Sequence, residues 1–499
     1  VVSRTAPFDP REATVSSVHH AIFHDLISCR DVVQSFLDRI AAFDKTGPTI
    51  NAIITTNEHA LQYADELDAM MNTHGFVPGR LHCVPLLLKD NYDTFDMPTT
   101  AGSLSLKGSQ PPADAPVVKA IREAGAIILG KANMHEFAIT GLTISSILGQ
   151  TKNPYDLTRT PGGSSGGTGA GVAASFAVLG TGSDTVNSIR SPASANSLVG
   201  IRPTRGLITR TGIVPLSTTQ DAIGPIARTV RDAALLLDVM SSVGFDAADN
   251  VTALGVGQVQ DYVSRTDQGS VDTLQGLRIG VLDVLLNKTE SDPEVFAVNK
   301  VFNATLSILD QAGATLLRIN DPTFVISHLS SVFDVQIYEF KHELDVYLAS
   351  HRGHVTSSNL ESIIKQDLYE KGDAFTGEFM RNATKGANNE TNPAYFTRRS
   401  GIDGLRTQLA MRFAEQNLDV MFYPHQSNLV VPIGSPSQVG RNGLVAAING
   451  FPAVGVPGGF SEPSETAPVG IPVGVEFLGR PFEEGKLLEV AAAFERLTR

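Results

Sequence analysis

Cysteine is scarce in this chain: among 499 residues there are two, Cys29 and Cys83. Two thiols cannot build a disulfide framework, and a structural zinc site wants four ligands at short spacings. They stand either as two buried thiols or as one disulfide. Long apolar runs are also missing. The longest candidate, Ala170 to Leu179, is interrupted by Gly171 and Ser175, so the sequence predicts no membrane span. Positive charge is in deficit, with 39 Lys and Arg against 52 Asp and Glu and a net charge of −13. An acidic surface repels nucleic acid and anionic lipid, which sets both aside as partners; otherwise the charge serves solubility. No internal repeat or long low-complexity tract occurs. The composition, 42% hydrophobic and 18% charged, is that of a globular protein with a large core.

The first residue is Val1 rather than Met, as a removed leader or a trimmed start would leave it. Five Asn-x-Ser/Thr sequons occur, at Asn250, Asn287, Asn303, Asn382 and Asn389, all in polar stretches suited to surface loops. Together these features predict a secreted, glycosylated protein, with a cytoplasmic one as the alternative.

Residues 1–80 read as helical. Ser28 followed by Asp31 resembles a capping box, and Val33, Phe36, Leu37 and Ile40 then form one buried stripe. The helical style continues over 51–80 and stops at Pro78-Gly79. Beyond it come short apolar runs: 84–88, ending at Lys89; 126–129; 279–282; and 420–423. Continuous apolar runs without alternation indicate strands buried on both faces. Residues 173–179 form a further apolar stretch, expected to be a helix leading into Gly180. Helical patterns lie between the strands, at 117–124, 230–240, 295–312, 404–416 and 485–497. This alternation predicts an α/β architecture around one large sheet. Region 325–440 is polar, rich in His and aromatics, and irregular in period. It reads either as an insertion that covers the site and shapes the substrate pocket or as a peripheral decoration with no contact to substrate.

The most unusual segment is Gly162-Gly163-Ser164-Ser165-Gly166-Gly167-Thr168-Gly169-Ala170-Gly171, with six glycines in ten residues. It lacks the lysine of a phosphate-binding loop. The near match Gly125 to Ala132 lacks the metal-binding hydroxyl and is itself a buried strand. A catalytic serine loop fits better. Ser188 follows in Gly182-Ser183-Asp184-Thr185-Val186-Asn187-Ser188-Ile189-Arg190. A serine in a tight turn preceded by several backbone N–H groups is what an oxyanion hole requires. A serine also needs a base. His19, His20, His24 and His74 lie in the N-terminal part, and His135 in Met134-His135-Glu136 lacks the second histidine of a zinc-binding helix. Lys89 is the best candidate base, because it ends a buried strand where its amine would be desolvated. Periodicity alone would equally allow an ordinary lysine that reaches solvent.

These motifs resemble the amidase signature family. Val84 to Asn91 looks like its catalytic-lysine strand. Thr99-Thr100-Ala101-Gly102-Ser103, Gly130 to Phe137, Asn153-Pro154, Ile201 to Gly206, Asn449 to Ala453 and Gly470 to Gly474 look like further family blocks. The resemblance covers about residues 25–499 and is weakest over 240–440. It implies one domain over 1–499: a large twisted mixed sheet with helices on both faces, and the chemistry in segment 81–240. It implies a Ser-Ser-Lys triad, with Ser188 as nucleophile, Ser164 as bridging serine after a cis peptide bond from Gly163, and Lys89 as base. Backbone N–H groups of Thr185, Val186, Asn187 and Ser188 would hold the oxyanion, while Asp184, Arg190 and Ser165 would support the loop. No metal or cofactor is needed. The implied function is hydrolysis of a small or medium organic amide by a monomer or homodimer. The alternatives are acyl transfer to an amine, the glutaminase-like component of a tRNA-dependent amidotransferase, and an inactive scaffold relative. Where the family usually has Gly-Gly before the nucleophile, this chain has Val186-Asn187. Val186 is expected at negative φ, narrowing the acyl pocket. Thr143-Ile144-Ser145-Ser146 departs from a more polar family version, which predicts a more apolar pocket.

Overall fold

The computed structural model describes residues 8–385 and 391–498. Among them, one sheet of eleven strands organises the chain. In chain order these are β1 (Ile53–Thr56), β2 (Pro85–Lys89), β3 (Ile127–Ala132), β4 (Leu179–Asp184), β5 (Val199–Arg202), β6 (Ala222–Ala227), β7 (Arg278–Leu282), β8 (Thr315–Ile319), β9 (Val420–Pro424), β10 (Ala453–Phe460) and β11 (Pro472–Leu478). Across the sheet they run β1-β3-β2-β4-β6-β5-β10-β11-β9-β7-β8. β3, β2 and β4 are parallel, as are β9, β7 and β8, and the pairs between these two blocks are antiparallel. The mixed α/β sheet expected from the sequence is the observed fold.

Both faces of the sheet are covered, and β9 shows how. Val420 and Phe422 pack with Phe477 and with Phe494 of the C-terminal helix Glu484–Thr498. Their neighbours Met421 and Tyr423 join a separate cluster with Leu409 and Phe413 of helix Pro393–Glu415. Successive side chains point to opposite faces, so two helical layers bury a strand with no polar side. Among the described residues, no helix is long and apolar enough to cross a membrane.

Two expectations are corrected. Residues 1–80 are not wholly helical, because β1 interrupts them and pairs antiparallel with β3. Its Ile53-Ile54-Thr55-Thr56 run is β-branched throughout, which favours an edge strand over a helix. Residues 173–179 are not a helix either. The helix is the glycine-rich stretch Gly166–Ala173, and Ser175, in the left-handed region at φ 59°, turns the chain from it into β4. Glycine is a poor helix former, but packing overrides propensity here. A Cβ at Gly167 would lie 2.3 Å from the Asn133 carbonyl oxygen, and one at Gly171 would lie 2.7 Å from Leu87 on β2. Only a helix without side chains on that face can lie this close to the sheet.

Ser28 caps helix Cys29–Phe43 by accepting from the Asp31 N–H at 3.1 Å. Cys29 opens that helix and forms a disulfide with Cys83, just upstream of β2, across 54 residues of sequence. Of the two states the sequence left open, the bonded one is observed. A closure of that length restricts the unfolded chain and stabilises by about 2–4 kcal/mol. Replacing both cysteines with serine is therefore expected to lower the urea midpoint of unfolding, with turnover by the folded protein retained; an unchanged midpoint would show that the bond restricts little.

Candidate active site

β2 and β4 are parallel neighbours whose C-terminal ends carry Lys89 and Asp184. The crevice beyond such strand ends is the usual binding place in α/β sheets. The helix Gly166–Ala173 lies over these two strands and brings the preceding Gly162–Ser165 turn to the same end. The Gly163–Ser164 peptide bond is cis. Lys89 Nζ lies 2.8 Å from Ser164 Oγ, 2.8 Å from Ser183 Oγ and 3.1 Å from the Ser183 carbonyl oxygen. All of these groups are buried, Lys89 and Ser164 completely. Desolvation lowers the Lys89 pKa from 10.5 to about 7, with Asp184 and Asp221 offsetting part of the fall. Near neutral pH, much of this amine is uncharged and able to accept a proton.

Ser188 stands in the turn after β4 and is 6% exposed. Its carbonyl accepts from the Ser165 N–H at 3.2 Å, which ties the two serine turns together. Thr185, Val186, Asn187 and Ser188 all line a cavity of about 620 Å³, a volume suited to a small or medium organic ligand. Neither Val186 nor Asn187 adopts a left-handed φ.

The residues expected to support the loop do so through buried charge. Asp184 accepts from the Ile189 N–H at 3.0 Å, from Arg190 at 3.1 Å and from Arg202 at 3.0 Å. Burial would raise the Asp184 pKa, but the two guanidinium groups pull it well below the usual carboxylate range. Arg190 also donates to Glu476 at 2.8 Å, to the Val186 carbonyl at 2.6 Å and to the Gly443 carbonyl at 3.0 Å. Ser165 Oγ donates to the Ser183 carbonyl at 3.4 Å.

Several contributors were not singled out from sequence. Ser183 and Asn91 complete the pocket of the lysine amine, with Asn91 Nδ2 3.0 Å from Ser183 Oγ. Thr143 Oγ1 donates to the Gly162 carbonyl at 2.7 Å and accepts from the Gly166 N–H at 3.1 Å, bracing both sides of the cis turn. Thr143 thus faces the glycine-rich turn, and the 134–146 segment lines the cavity through Ala138, Ile139 and Thr140. Glu476 binds His425 and Tyr423 as well as Arg190. Burial alone would raise its pKa, but Arg190 and His425 bring it down to about 2. Sequence spacing cannot reveal these pairs, because their members lie tens to hundreds of residues apart.

Segment 325–440 supplies much of the opposite wall, including Ile326, Ile337, Phe375 and Phe379. Buried polar contacts hold it to the core. His135 pairs with Asp373 at 2.8 Å, and Glu136 accepts from the Ser146 and Glu370 N–H groups at 3.0 and 2.8 Å. Burial outweighs those hydrogen bonds and pushes the Glu136 pKa up to about 7. Three of the four described sequons fall outside loops, and Asn287 lies in one. Asn250, Asn303 and Asn382 are exposed on helical segments, Asn287 is half-buried, and Asn389 lies outside the described residues.

Comparison with known proteins decides the family. The family described as Amidase matches residues 31–488. The chain belongs to the amidase signature family. Its members are serine amidohydrolases. A native peptide amidase from Stenotrophomonas maltophilia superposes with a TM-score of 0.86 at 34% identity, covering 98% of each chain. One component of the glutamyl-tRNA(Gln) amidotransferase of Alkaliphilus metalliredigens is 33% identical over 496 residues, 97% of this chain and 96% of that one. The solved structure of the corresponding Thermotoga maritima component superposes with a TM-score of 0.72 at 29% identity, over 98% of this chain and 95% of that one.

Val186, the position at which the resemblance leads one to expect glycine, lies in the cavity wall. It is partly buried against the cluster that holds Tyr423 and Leu444 and lines the cavity together with Ser188. Val186→Gly is expected to raise kcat/KM for branched acyl amides relative to straight-chain ones. An unchanged ratio across an acyl series would remove Val186 from the specificity of the site.

Proposed function

We propose that the protein is a free-standing amidase that hydrolyses a small or medium organic amide through an acyl-enzyme on Ser188, working as a monomer or homodimer. The observation that carries this reading is the Lys89–Ser164 contact, a desolvated amine 2.8 Å from a hydroxyl beside the nucleophile turn. Neutral Lys89 takes a proton from Ser164, and Ser164 takes one from Ser188. The Ser188 oxygen attacks the amide carbonyl, and the oxyanion is held by backbone N–H groups of Thr185, Val186, Asn187 and Ser188. Losing one such donor costs on the order of 10²–10³ in rate. The relay returns the proton to the leaving nitrogen as the C–N bond breaks. Water, activated by the same relay, then releases the acid. Asp184, Arg190 and Ser165 act by positioning the loop.

The close superposition on a peptide amidase supports the free-standing form. A second reading, as the glutaminase component of a tRNA-dependent amidotransferase, is favoured by the 33% identity to the Alkaliphilus metalliredigens protein. The same acyl-enzyme would also serve acyl transfer to an amine acceptor. We further propose that the protein works in an oxidising, extracellular setting. The Cys29–Cys83 disulfide and the exposed Asn250, Asn303 and Asn382 sequons support this.

A fluorophosphonate probe tests the chemistry, read by mass spectrometry of the labelled peptide alongside a hydrolysis screen over amides and esters. Labelling is expected at Ser188. Ser188→Ala is expected to lose both labelling and turnover, and Lys89→Ala to slow both by about 10²–10⁴. A folded protein that neither reacts with the probe nor turns over any amide would overturn the reading in favour of a scaffold.

A further inference from the structure

The relay makes no use of the cationic side chains in the cavity beside Ser188, of which one stands apart. Arg441 lines that cavity. Arg190 and Arg202, behind the Ser188 turn, are engaged by carboxylates. Arg441 forms no ion pair among the described residues. Its guanidinium donates to the Gly163 carbonyl at 3.3 Å, a long bond for a group with five donors. Burial lowers its pKa to about 10, and Asp184 compensates only in part. The other charged groups of the cavity differ from it: Arg398 donates to the Ser330 and Asp334 carbonyls, Asp334 accepts from Gln336, and Glu378 is exposed.

The position of Arg441 is built into the fold. A Cβ at Gly141 would lie 1.9 Å from its Nη1, so the guanidinium packs against the bare backbone of Gly141 and a side chain there would displace it. Its backbone is pinned on both sides. The Ser427 N–H donates to the Gly440 carbonyl at 2.6 Å, and the Asn442 N–H to the His425 carbonyl at 2.8 Å. The Gly443 N–H donates to Asn187 Oδ1 at 3.0 Å. Asn187 thus latches the nucleophile turn to the Arg441 loop, which gives its departure from the family's glycine a structural reason. An aligned guanidinium without a carboxylate partner, on a rigid loop in a ligand-sized cavity, matches the planar oxygen pair of a carboxylate.

We propose that Arg441 binds a carboxylate on the amide substrate, making this an enzyme for amides that carry an anionic group. The inference rests on the amidase reading. Succinyl and glutaryl p-nitroanilides, compared with the butanoyl and pentanoyl compounds, test it on the full chain. The acids are expected to exceed the neutral anilides in kcat/KM by on the order of a hundredfold. Arg441→Gln should collapse that ratio toward one, and Arg441→Lys should leave an intermediate ratio. A wild-type ratio near one, or equal losses on both substrate types in Arg441→Gln, would overturn the proposal and reduce Arg441 to a brace for Gly163. Protection of Ser188 from the fluorophosphonate gives a second readout on the wild type, independent of turnover and of the variant's folding. Glutarate is expected to slow labelling and glutaramide not to; equal effects would also overturn the proposal. Absence of turnover on every amide, with glutarate protection intact, would count against the amidase reading alone.

Discussion

The amine of Lys89 is held in a place that water does not reach, and the chemistry of the site depends on that fact. β2 lies between β3 and β4, with the glycine-rich helix packed closely over it. The strand therefore delivers its last side chain into protein on every side. Moving the amine pKa from 10.5 to about 7 corresponds to roughly 5 kcal/mol against the charged form. Hydroxyls and a carbonyl surround the nitrogen in direct contact, with no carboxylate of the described residues beside it. A closer counter-charge would restore the ammonium and remove the base. The more distant Asp184 and Asp221 only moderate the shift.

A second constraint fixes the Ser188 turn relative to this amine. Asp184 at the end of β4, Arg202 on β5, Tyr423 on β9 and Glu476 on β11 meet around Arg190 with almost no access to solvent. Buried ion pairs add little net stability once desolvation is counted, yet removing one partner is strongly destabilising. Such a lattice suits the setting of geometry. It joins four strands of the sheet to the Val186 carbonyl and to the Gly443 carbonyl, and so to both loops that border the cavity. Segment 325–440, which lines the cavity, is held by further buried contacts such as His135–Asp373 and the Glu370 N–H to Glu136.

Local sequence carried much of the fold. Buried strands such as β2, β7 and β9 stand out as unbroken apolar runs, and the glycine-rich turn announces a close backbone approach. Where local reasoning failed, a non-local partner made the difference. β1 is legible only as an edge added to β3. The Gly166–Ala173 helix defies propensity because the sheet requires a face without side chains. Residues 173–179 are apolar because the turn after that helix is buried. Lys89 could not be separated from an ordinary lysine by periodicity, since its burial comes from strands far away in sequence. The Cys29–Cys83 pairing, the Asn187–Gly443 latch and the placement of Arg441 likewise exist only once the sheet has brought distant segments together.

The central claim is that a neutral Lys89 activates Ser188 through Ser164, and the pH dependence of Ser188 labelling by a neutral fluorophosphonate measures it most directly. Because burial lowers the amine pKa, the base form gains as pH rises through about 7. The second-order labelling rate should climb through one ionisation near pH 7 and then level off, and Lys89→Ala should be slow with that ionisation gone. A rate that peaks below pH 5, or an ionisation near 7 that survives in Lys89→Ala, would contradict the account.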